Sequence, residues 1–392
     1  MTKESLLFSP LELRGVTLPN RIAVSPLCMY SATDGLAGDW LFAHLSTFAR
    51  GKAGLVFTEA TAVEPRGRIT PACLGIWTDE QAKAIRPTVR FIEEMGCVPG
   101  MQIAHSGRKG SAEPPFRGGT PLAPDHADAW ETVGPSADPV GDGWPAPHPL
   151  ETGEIAQIVE DFAAAARRAA EIGFKVIEVH GAHGYLIQSF LSPLGNKRND
   201  AYGGDIHGRM RFALEVAEAV RAAWPDDLPL FYRISAVDGP STGWSLDDSV
   251  ILARELAARG VDVVDCSAGG IRGAPAFRAN DAGKPLNKSG ERPLGFQVPY
   301  ADRVRNEADV KTMAVGVIVN PHQAEAILQE GRADLVALGR EIMYNPFWPL
   351  HAAQALDVDP DSAMWPDQYG WAVQRRREIM AQNASALGGP KQ

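Results

Sequence analysis

The stretch from Ile155 to His180, IAQIVEDFAAAARRAAEIGFKVIEVH, contains the unit that decides the fold. In residues 155–172 apolar side chains recur three and four positions apart, which is the period of an amphipathic helix. Val176–Val179 then forms a short apolar run, which is typical of a buried strand. A helix that leads directly into a buried strand indicates a parallel sheet with helical crossovers.

The same alternation of strands and helices continues along the chain from residue 20 almost to residue 340. Strand candidates are Ile22–Ser25, Leu55–Thr58, Pro99–Ile103, Val176–Val179, Leu230–Ile234, Val261–Asp265, Thr312–Val315 and Leu335–Leu338. Helical patterns include Ile155–Ile172, Arg209–Ala223, Leu246–Ala258 and Pro321–Gln329. Eight strand–helix units predict an α/β fold, a single (β/α)₈ TIM barrel, more than an open sheet.

Three segments interrupt or extend this rhythm. Leu13–Pro19 is predicted to form a hairpin that caps the bottom of the barrel. Residues 106–150 are rich in Gly, Pro and Asp and follow the third strand, so we expect a lid at the carboxyl-terminal mouth. Residues 1–345 are predicted to be the barrel with this lid, and residues 346–392 a helical extension of the same domain.

Composition excludes several classes of protein. The 392 residues carry a net charge of −10 and are 45% hydrophobic, which argues against disorder and against nucleic acid as a partner. No signal peptide fits Met1–Phe8, and no run of about 18 apolar residues predicts a membrane span. Cys28, Cys73, Cys97 and Cys266 form no CxxC pair, so we expect neither a disulfide framework nor a metal knuckle. These features predict a cytoplasmic protein.

The densest polar cluster is His180-Gly181-Ala182-His183-Gly184-Tyr185, directly after the fourth strand. Two neutral imidazoles can donate hydrogen bonds to one carbonyl oxygen, and Tyr185 can deliver a proton to a neighbouring carbon. His-x-x-His is also a spacing of metal ligands, although no carboxylate is close in sequence to complete the set. A third interpretation is that the histidines only cap the start of a helix.

Other candidates lie at the ends of other predicted strands. Gln102 can pair both faces of an imide, although a lone glutamine is more often structural. Arg233 lies inside a strand, where a cation needs either an anionic ligand or a buried aspartate. Cys28, with Tyr30 beside it, lies just past the first strand, at the predicted mouth, where it is either a buried hydrophobe or a functional group.

Glycines after the last two strands favour a phosphorylated ligand. Gly316 follows the seventh strand, and Gly339-Arg340 follows the eighth. In barrels these loops often bind phosphate, because glycine lets backbone N–H groups approach the anion. No GxGxxG or GxxxxGK[ST] motif is present, so a Rossmann unit or a P-loop is not expected.

Six groups of residues, in one order along the chain, carry a resemblance to a known family. They are Ser25-Pro26-Leu27-Cys28-Met29-Tyr30; Thr58-Glu59-Ala60-Thr61-Ala62-Val63; Gln102-Ile103-Ala104-His105-Ser106-Gly107-Arg108-Lys109; Trp130 with Gly134-Pro135-Ser136; His180 through Leu186 with Phe190-Leu191-Ser192-Pro193; and Arg198, Asp200, Tyr202-Gly203-Gly204 with Arg209. From about residue 7 to 345 the sequence resembles the Old Yellow Enzyme family of flavin mononucleotide (FMN) ene-reductases. It is most similar to the bacterial, xenobiotic-reductase-like branch that carries a cysteine near the flavin.

The resemblance implies an FMN site in a (β/α)₈ barrel. Ser25, Pro26 and Ala60 would lie against the flavin ring, Gln102 would pair its pyrimidine edge, and Arg233 would lie near N1 and O2. Cys28 would tune the flavin potential and would not act as a nucleophile. The residues implied to hold the phosphate are Ala314, Gly316, Gly339 and Arg340. The resemblance implies no metal.

The resemblance also implies a ping-pong reaction. NADPH or NADH would give hydride to the flavin and leave, and an α,β-unsaturated carbonyl compound would then accept it. His180 and His183 would hold the carbonyl oxygen, Tyr185 would protonate the α-carbon, and Tyr30 would line the pocket. Two alternatives stay open: an FMN barrel with another redox role, such as ring dehydrogenation, and a metal-dependent barrel hydrolase with His180 and His183 as ligands.

The sequence departs from the family pattern at a few positions. Leu27 replaces the methionine usual in this branch, and Leu41 replaces a familiar histidine. Trp371 stands where relatives often place an arginine that reaches into the neighbouring subunit's site. We expect a homodimer or homotetramer in which this indole contributes an apolar contact to the substrate site.

Overall fold

The computed structural model describes residues 5–272 and 292–383. The first four residues of the stretch considered for a signal peptide and the last nine of the predicted tail therefore lie outside the described residues. Eight parallel strands form the centre: β1 Ile22–Val24, β2 Leu55–Phe57, β3 Val98–Ala104, β4 Val176–Gly181, β5 Leu230–Ser235, β6 Val263–Ser267, β7 Lys311–Val315 and β8 Leu335–Leu338.

The strands close into a barrel. Each of the eight strands pairs in parallel with the next one along the chain, and β8 pairs with β1, so the eight strands close on themselves; a further two-residue strand, Thr61–Ala62, pairs with the end of β3. The predicted TIM barrel is confirmed. Its helices are α1 Asp39–Arg50, α2 Asp79–Glu94, α3 Thr152–Glu171, α4 Leu186–Leu191, α5 Ile206–Ala223, α6 Leu246–Ala258, α7 Val298–Ala308, α8 Pro321–Gln329, α9 Arg340–Tyr344, α10 Trp348–Ala355 and α11 Asp367–Gln382.

Local sequence signals fix several helix starts. The Thr78 hydroxyl accepts a hydrogen bond from the backbone N–H of Gln81, and the Gln81 side-chain oxygen accepts one from the backbone N–H of Thr78, forming a capping box ahead of α2. Ser245 and Asp248 form the same motif ahead of α6. The Asn320 side chain caps α8, which begins with a proline.

Side chains inside the barrel change from apolar to polar towards the carboxyl ends of the strands. Residues two apart share one face of a strand, so each strand offers an inward-facing series. On β4 this series is Val176, Glu178 and His180; on β5 it is Phe231, Arg233 and Ser235; on β6 it is Val263, Asp265 and Ser267. The first members pack in an apolar cluster at the amino-terminal end, and the later ones bring polar groups to the opposite end.

A hairpin closes the amino-terminal end of the barrel. Its strands, Leu11–Leu13 and Val16–Leu18, pair antiparallel. Their buried leucines and valine pack in one cluster with Leu55, Val98 and Val176. The predicted cap is confirmed, and this end of the barrel is filled by hydrocarbon.

The excursion over residues 106–150 contains only short elements. These are the 3₁₀ turns Gly107–Lys109 and Pro115–Arg117 and the paired two-residue strands Val133–Gly134 and His148–Pro149. Phe116, which is 70% exposed, places its ring 6.2 Å from that of Tyr30. The excursion therefore contacts the loop after β1 at the carboxyl-terminal end of the barrel.

Two helices follow the barrel. In α10 the buried Trp348 donates a hydrogen bond from Nε1 to the carbonyl of Val319, which fixes this helix to the loop between β7 and α8. The hydroxyl of Tyr369, in α11, accepts a hydrogen bond from Arg50 of α1. Within residues 5–272 and 292–383, no helix has both the length and the apolar character needed to cross a membrane.

Candidate active site

His180 and His183 lie at the carboxyl end of β4 and touch each other. His180 Nε2 is 3.2 Å from His183 Nδ1, and the two rings meet edge to face. His183 has φ +58°, a left-handed conformation that a β-carbon disfavours. Its backbone N–H donates to Ser235 Oγ at 3.0 Å, and its carbonyl accepts from Lys109 Nζ at 2.7 Å. These contacts hold the turn in this conformation.

Both imidazoles are neutral at physiological pH. Burial, and then the charge of Arg233, hold the pKa of each well below the usual value for histidine. The backbone N–H of Ala182 donates to His180 Nδ1, so the single proton of that ring is on Nε2. It points to His183 Nδ1, which leaves the His183 proton on Nε2, 2.6 Å from Ser267 Oγ. Each ring therefore has one N–H that can be redirected to a ligand oxygen.

Tyr185 completes this cluster. The Tyr185 ring centroid is 5.1 Å from that of His180. The Lys109 ammonium lies over the face of the Tyr185 ring, 5.8 Å from its centroid. Burial raises the pKa of the Tyr185 phenol well above its usual value, so the hydroxyl keeps its proton. A close-packed turn positions it: a β-carbon on Gly184 would lie 2.1 Å from the carbonyl oxygen of Gly270.

The loop after β1 brings Cys28 and Tyr30 to the same end of the barrel. Tyr30 has φ +52°, and the side chain of the buried Glu59 accepts a hydrogen bond from the Met29 N–H at 3.4 Å. Burial raises the pKa of Glu59 to about 8. Burial, and then Glu59, raise the pKa of Cys28, so the sulfur is a thiol and a poor nucleophile. Sequence reasoning quoted Glu59 within a motif but assigned it no role.

Below the histidines, four polar side chains lie inside the barrel. Gln102 Nε2 donates to Glu178 Oε1 at 2.7 Å across β3 and β4. Arg233 Nε is 3.0 Å from Asp265 Oδ2 across β5 and β6, and Arg233 Nη1 donates weakly to Ser25 Oγ at 3.4 Å. Sequence reasoning left open a buried aspartate or an anionic ligand for Arg233, and the structure supplies the aspartate.

Glu178 and Asp265 were missed by the sequence analysis. Both are fully buried, and in each strand the acid interrupts an apolar run, in Val176-Ile177-Glu178-Val179 and in Val263-Val264-Asp265-Cys266. An acid in a buried strand was therefore the available signal, because such a position demands a partner.

A cavity of about 550 Å³ opens beside His183 at the ends of β6, β7 and β8. Its walls include Gly316, Gly339 and Arg340, the residues that the sequence analysis assigned to the phosphate, and also Arg292 and Phe296, which the sequence analysis did not single out. Ala314 does not line the cavity: alternation along β7 turns its side chain outward to the core under the helices, and Val315 and Gly316 lie in the wall. Its role at the phosphate stays a prediction.

The geometry of this cavity fits an FMN phosphate. Gly316 has φ +119°, and a β-carbon there would lie 3.0 Å from the Phe296 ring, so a side chain would reduce the space. At Gly339 an added β-carbon would meet only Leu27, at 3.8 Å, which leaves the backbone open to the cavity. Arg292 and Arg340 add positive charge to the same walls, where Glu341 is the one acidic side chain among the described residues.

The remaining site predictions differ in outcome. Ser25, Ala60 and Gln102 are buried, while Pro26, Cys28 and Tyr30 are half-buried. Trp371 lies on α11, is 69% exposed, and does not line the cavity. Throughout the described part of the chain, no group of three His, Cys, Asp or Glu side chains is arranged to hold a metal ion, so the hydrolase alternative has no ligand set.

The fold and site define a class of protein: a TIM-barrel flavin oxidoreductase, with a ligand-sized cavity of about 550 Å³ beside a neutral histidine pair and a tyrosine. The family described as the NADH:flavin oxidoreductase / NADH oxidase family matches residues 6–359, and the chain belongs to it. The resemblance to the Old Yellow Enzyme family is thereby confirmed. The chain is an enzyme that uses FMN and NAD(P)H.

Similar proteins cover nearly the whole chain. An NADPH dehydrogenase of Geobacillus sp. (strain WCH70) is 42% identical over 370 residues, which are 94% of this chain and 99% of the relative. An NADPH dehydrogenase of Bacillus subtilis (strain 168) is 40% identical over 369 residues, 93% and 99% of the two chains. Among solved structures, a morphinone reductase matches with a TM-score of 0.72 and 28% identity, covering 90% of this chain and 91% of its own.

Proposed function

We propose that this enzyme reduces the activated C=C bond of α,β-unsaturated carbonyl compounds by a ping-pong reaction with NAD(P)H. The observation that carries the proposal is the contact between the two neutral histidines and the protonated Tyr185 at the end of β4. This cluster offers two N–H donors for an oxygen and one O–H donor for a carbon, which is the set an enone needs.

Bound FMN supplies the hydride, and the chain supplies orientation and protons. The N–H groups of His180 and His183 bind the carbonyl oxygen and stabilise the negative charge that develops on it. The Tyr185 hydroxyl donates its proton to the α-carbon. Gln102 and Arg233 would face the bound flavin from inside the barrel, while Arg340 and the backbone at Gly316 and Gly339 would hold its phosphate.

Tyr30 and the excursion that contacts it cover the substrate. Phe116 packs on the Tyr30 ring, so the excursion and the loop after β1 form one wall of the pocket. Exclusion of water by such a wall strengthens the hydrogen bonds to the enone oxygen. Cys28 beside Tyr30 adds a neutral thiol to this wall.

The test is an anaerobic visible spectrum of the purified holoenzyme, to which NADPH and then 2-cyclohexenone are added. We expect the flavin absorption to bleach with NADPH and to return with the enone. Bleaching without recovery would reject the enone as substrate and favour another redox role, such as ring dehydrogenation. Titration with NADH in parallel gives the preferred reductant.

The proposal includes a homo-oligomer in the cytoplasm. Aromatic side chains of Trp40, Tyr344 and Trp371 are largely exposed, and a second copy of the chain would cover them. The four cysteines are all free, as in a reducing compartment. Sedimentation velocity of the wild type and of Trp371→Arg tests the assembly, with a dimer or tetramer expected and a monomer contradicting it.

A further inference from the structure

The four interior side chains below the histidines form a charge cluster inside the barrel. The cluster comprises Gln102, Glu178, Arg233 and Asp265, and each member is at most 6% exposed. Two carboxyl groups face one guanidinium, so the acids outnumber the bases. Among the residues that the structure describes, Glu178 Oε2 and both carboxylate oxygens of Asp265 accept no hydrogen bond. Buried groups left in this state require a reason.

The two carboxyl groups of the cluster differ in charge. Burial raises the pKa of Glu178, and the charge of Asp265 raises it further. Asp265 is closer to the base, since its Oδ2 lies 3.0 Å from Arg233 Nε and the Arg233 charge opposes the effect of burial on its pKa. Glu178 therefore holds the extra proton, and Asp265 is the ionised partner of Arg233.

We propose that Asp265 is a positioning residue that lowers the reduction potential of the bound flavin by holding Arg233 and compensating part of its charge. This inference rests on the proposed function, in which Arg233 faces the N1 and O2 edge of FMN. Reduction places negative charge at that edge. A guanidinium paired with a carboxylate attracts this charge less than a free one, because the two partners form a dipole instead of a net cation.

The ion pair also fixes where the guanidinium points. Asp265 Oδ2 lies 3.0 Å from Arg233 Nε on the β6 side, as an ion-pair contact without hydrogen-bond geometry, and Arg233 Nη1 donates to Ser25 Oγ at 3.4 Å on the loop after β1. A single carboxylate thus sets both the direction and the effective charge of Arg233. Its place on β6, opposite Arg233 in the strand register, makes the pair part of the barrel wall.

The test compares Asp265→Asn, Asp265→Glu and the wild-type holoenzyme. The readouts are the FMN midpoint potential, measured by photoreduction against a reference dye, and the dissociation constants of oxidised and reduced FMN. In Asp265→Asn we expect reduced FMN to bind about tenfold more tightly relative to oxidised FMN, a rise of about 30 mV for a two-electron couple. Asp265→Glu, which keeps the charge, should return the ratio to within about twofold of the wild type.

Asp334→Asn is the matched control. Asp334 is also a buried aspartate paired with an arginine, but it directly precedes β8 and its partner, Arg305, is on α7, outside the barrel interior. Its potential should equal that of the wild type. If Asp265→Asn does not fold, Asp265→Ser removes the same charge and leaves room for a water molecule, and the same rise is expected.

Two results would overturn the inference: an Asp265→Asn holoenzyme with an unchanged potential, or an equal rise in Asp334→Asn. Failure of the proposed function is distinguishable. A holoenzyme that enones do not reoxidise would reject the ene-reductase, yet its midpoint potential would still report whether Asp265 acts through Arg233.

Discussion

His180 Nε2 and His183 Nδ1 are hydrogen bonded to each other at 3.2 Å. When no ligand is bound, the His180 N–H is therefore satisfied by His183, and a substrate oxygen must replace this hydrogen bond. Because His180 is anchored through Nδ1 by the Ala182 N–H, its Nε2–H is already directed into the site. His183, which reaches Ser267 through Nε2, must turn more. His180 is thus already oriented to bind a substrate oxygen, whereas His183 must first reorient.

His180→Ala should weaken the binding of 4-hydroxybenzaldehyde, a phenol that mimics an enolate. One hydrogen bond to a charged oxygen contributes about 1.5–3 kcal/mol, so the dissociation constant should rise by about 10- to 150-fold. Titration of the flavin spectrum measures this constant. His207→Ala, on the exposed side of α5, is the control and should bind as the wild type does. Unchanged affinity in His180→Ala would remove this residue from the oxygen site.

Tyr185→Phe should separate the two half-reactions. The phenol is held protonated by burial and is the proton donor to the α-carbon, so reoxidation of the flavin by 2-cyclohexenone should slow by about 10² to 10⁴. Reduction by NADPH needs no such proton and should change by less than about twofold. Stopped-flow absorbance resolves both steps. Tyr202→Phe, which loses only a bond to Glu215, is the control. An equal loss in both steps would contradict the assignment.

Glu59→Gln should change how stability depends on pH. The folded pKa of about 8 lies above the unfolded value of 4.5, so between these values only the folded state keeps the proton. The stabilisation of the fold that depends on protonated Glu59 is therefore complete below about pH 4.5 and is lost as pH rises through 8. We would measure the free energy of unfolding in urea at pH 5, 6.5 and 8. Over this range the wild type should lose about 3 kcal/mol relative to Glu59→Gln, the order of magnitude that the two pKa values set. Parallel curves would show that Glu59 is ionised in the fold.

Lys109→Met should affect ligand binding more than stability. Burial lowers the pKa of Lys109 to about 8, so the charged form is costly below that pH, and the cost disappears above the unfolded pKa of 10.5. Methionine removes this cost but also the hydrogen bond to the His183 carbonyl, which contributes about 1 kcal/mol. Because the fall in pKa from 10.5 to about 8 outweighs the loss of that hydrogen bond, at pH 7 we expect Lys109→Met to be at least as stable in urea as the wild type.

Ligand affinity in Lys109→Met should fall because the turn that carries His183 loses its anchor and the site loses a cation. The dissociation constant of 4-hydroxybenzaldehyde should rise by about five- to tenfold. Lys175→Met, a half-exposed lysine paired with Glu93 on the barrel exterior, is the control. If the two variants bind equally well, Lys109 only fills space.

Strand positions could be predicted from the sequence, but some strand ends could not. The sixth strand was expected at Val261–Asp265 and is found at Val263–Ser267. Val261 is buried against the helices, and Asp262 forms an ion pair with Arg14. The apolar run in the sequence therefore begins two residues before the strand does. Periodicity cannot tell whether a buried residue packs against helices or pairs in a sheet.

The sequence by itself determined the order of elements and the site features that are local. Hydrophobic periodicity defined the barrel, and His180, His183 and Tyr185 form a cluster because all three lie within six residues at the carboxyl end of one strand. Only the tertiary structure decided that Glu178 meets Gln102, Asp265 meets Arg233, and Ser267 meets His183. These partners are 76, 32 and 84 positions apart in sequence. Closure of the barrel selects them, because strand register, which no local pattern encodes, sets which inward side chains face each other.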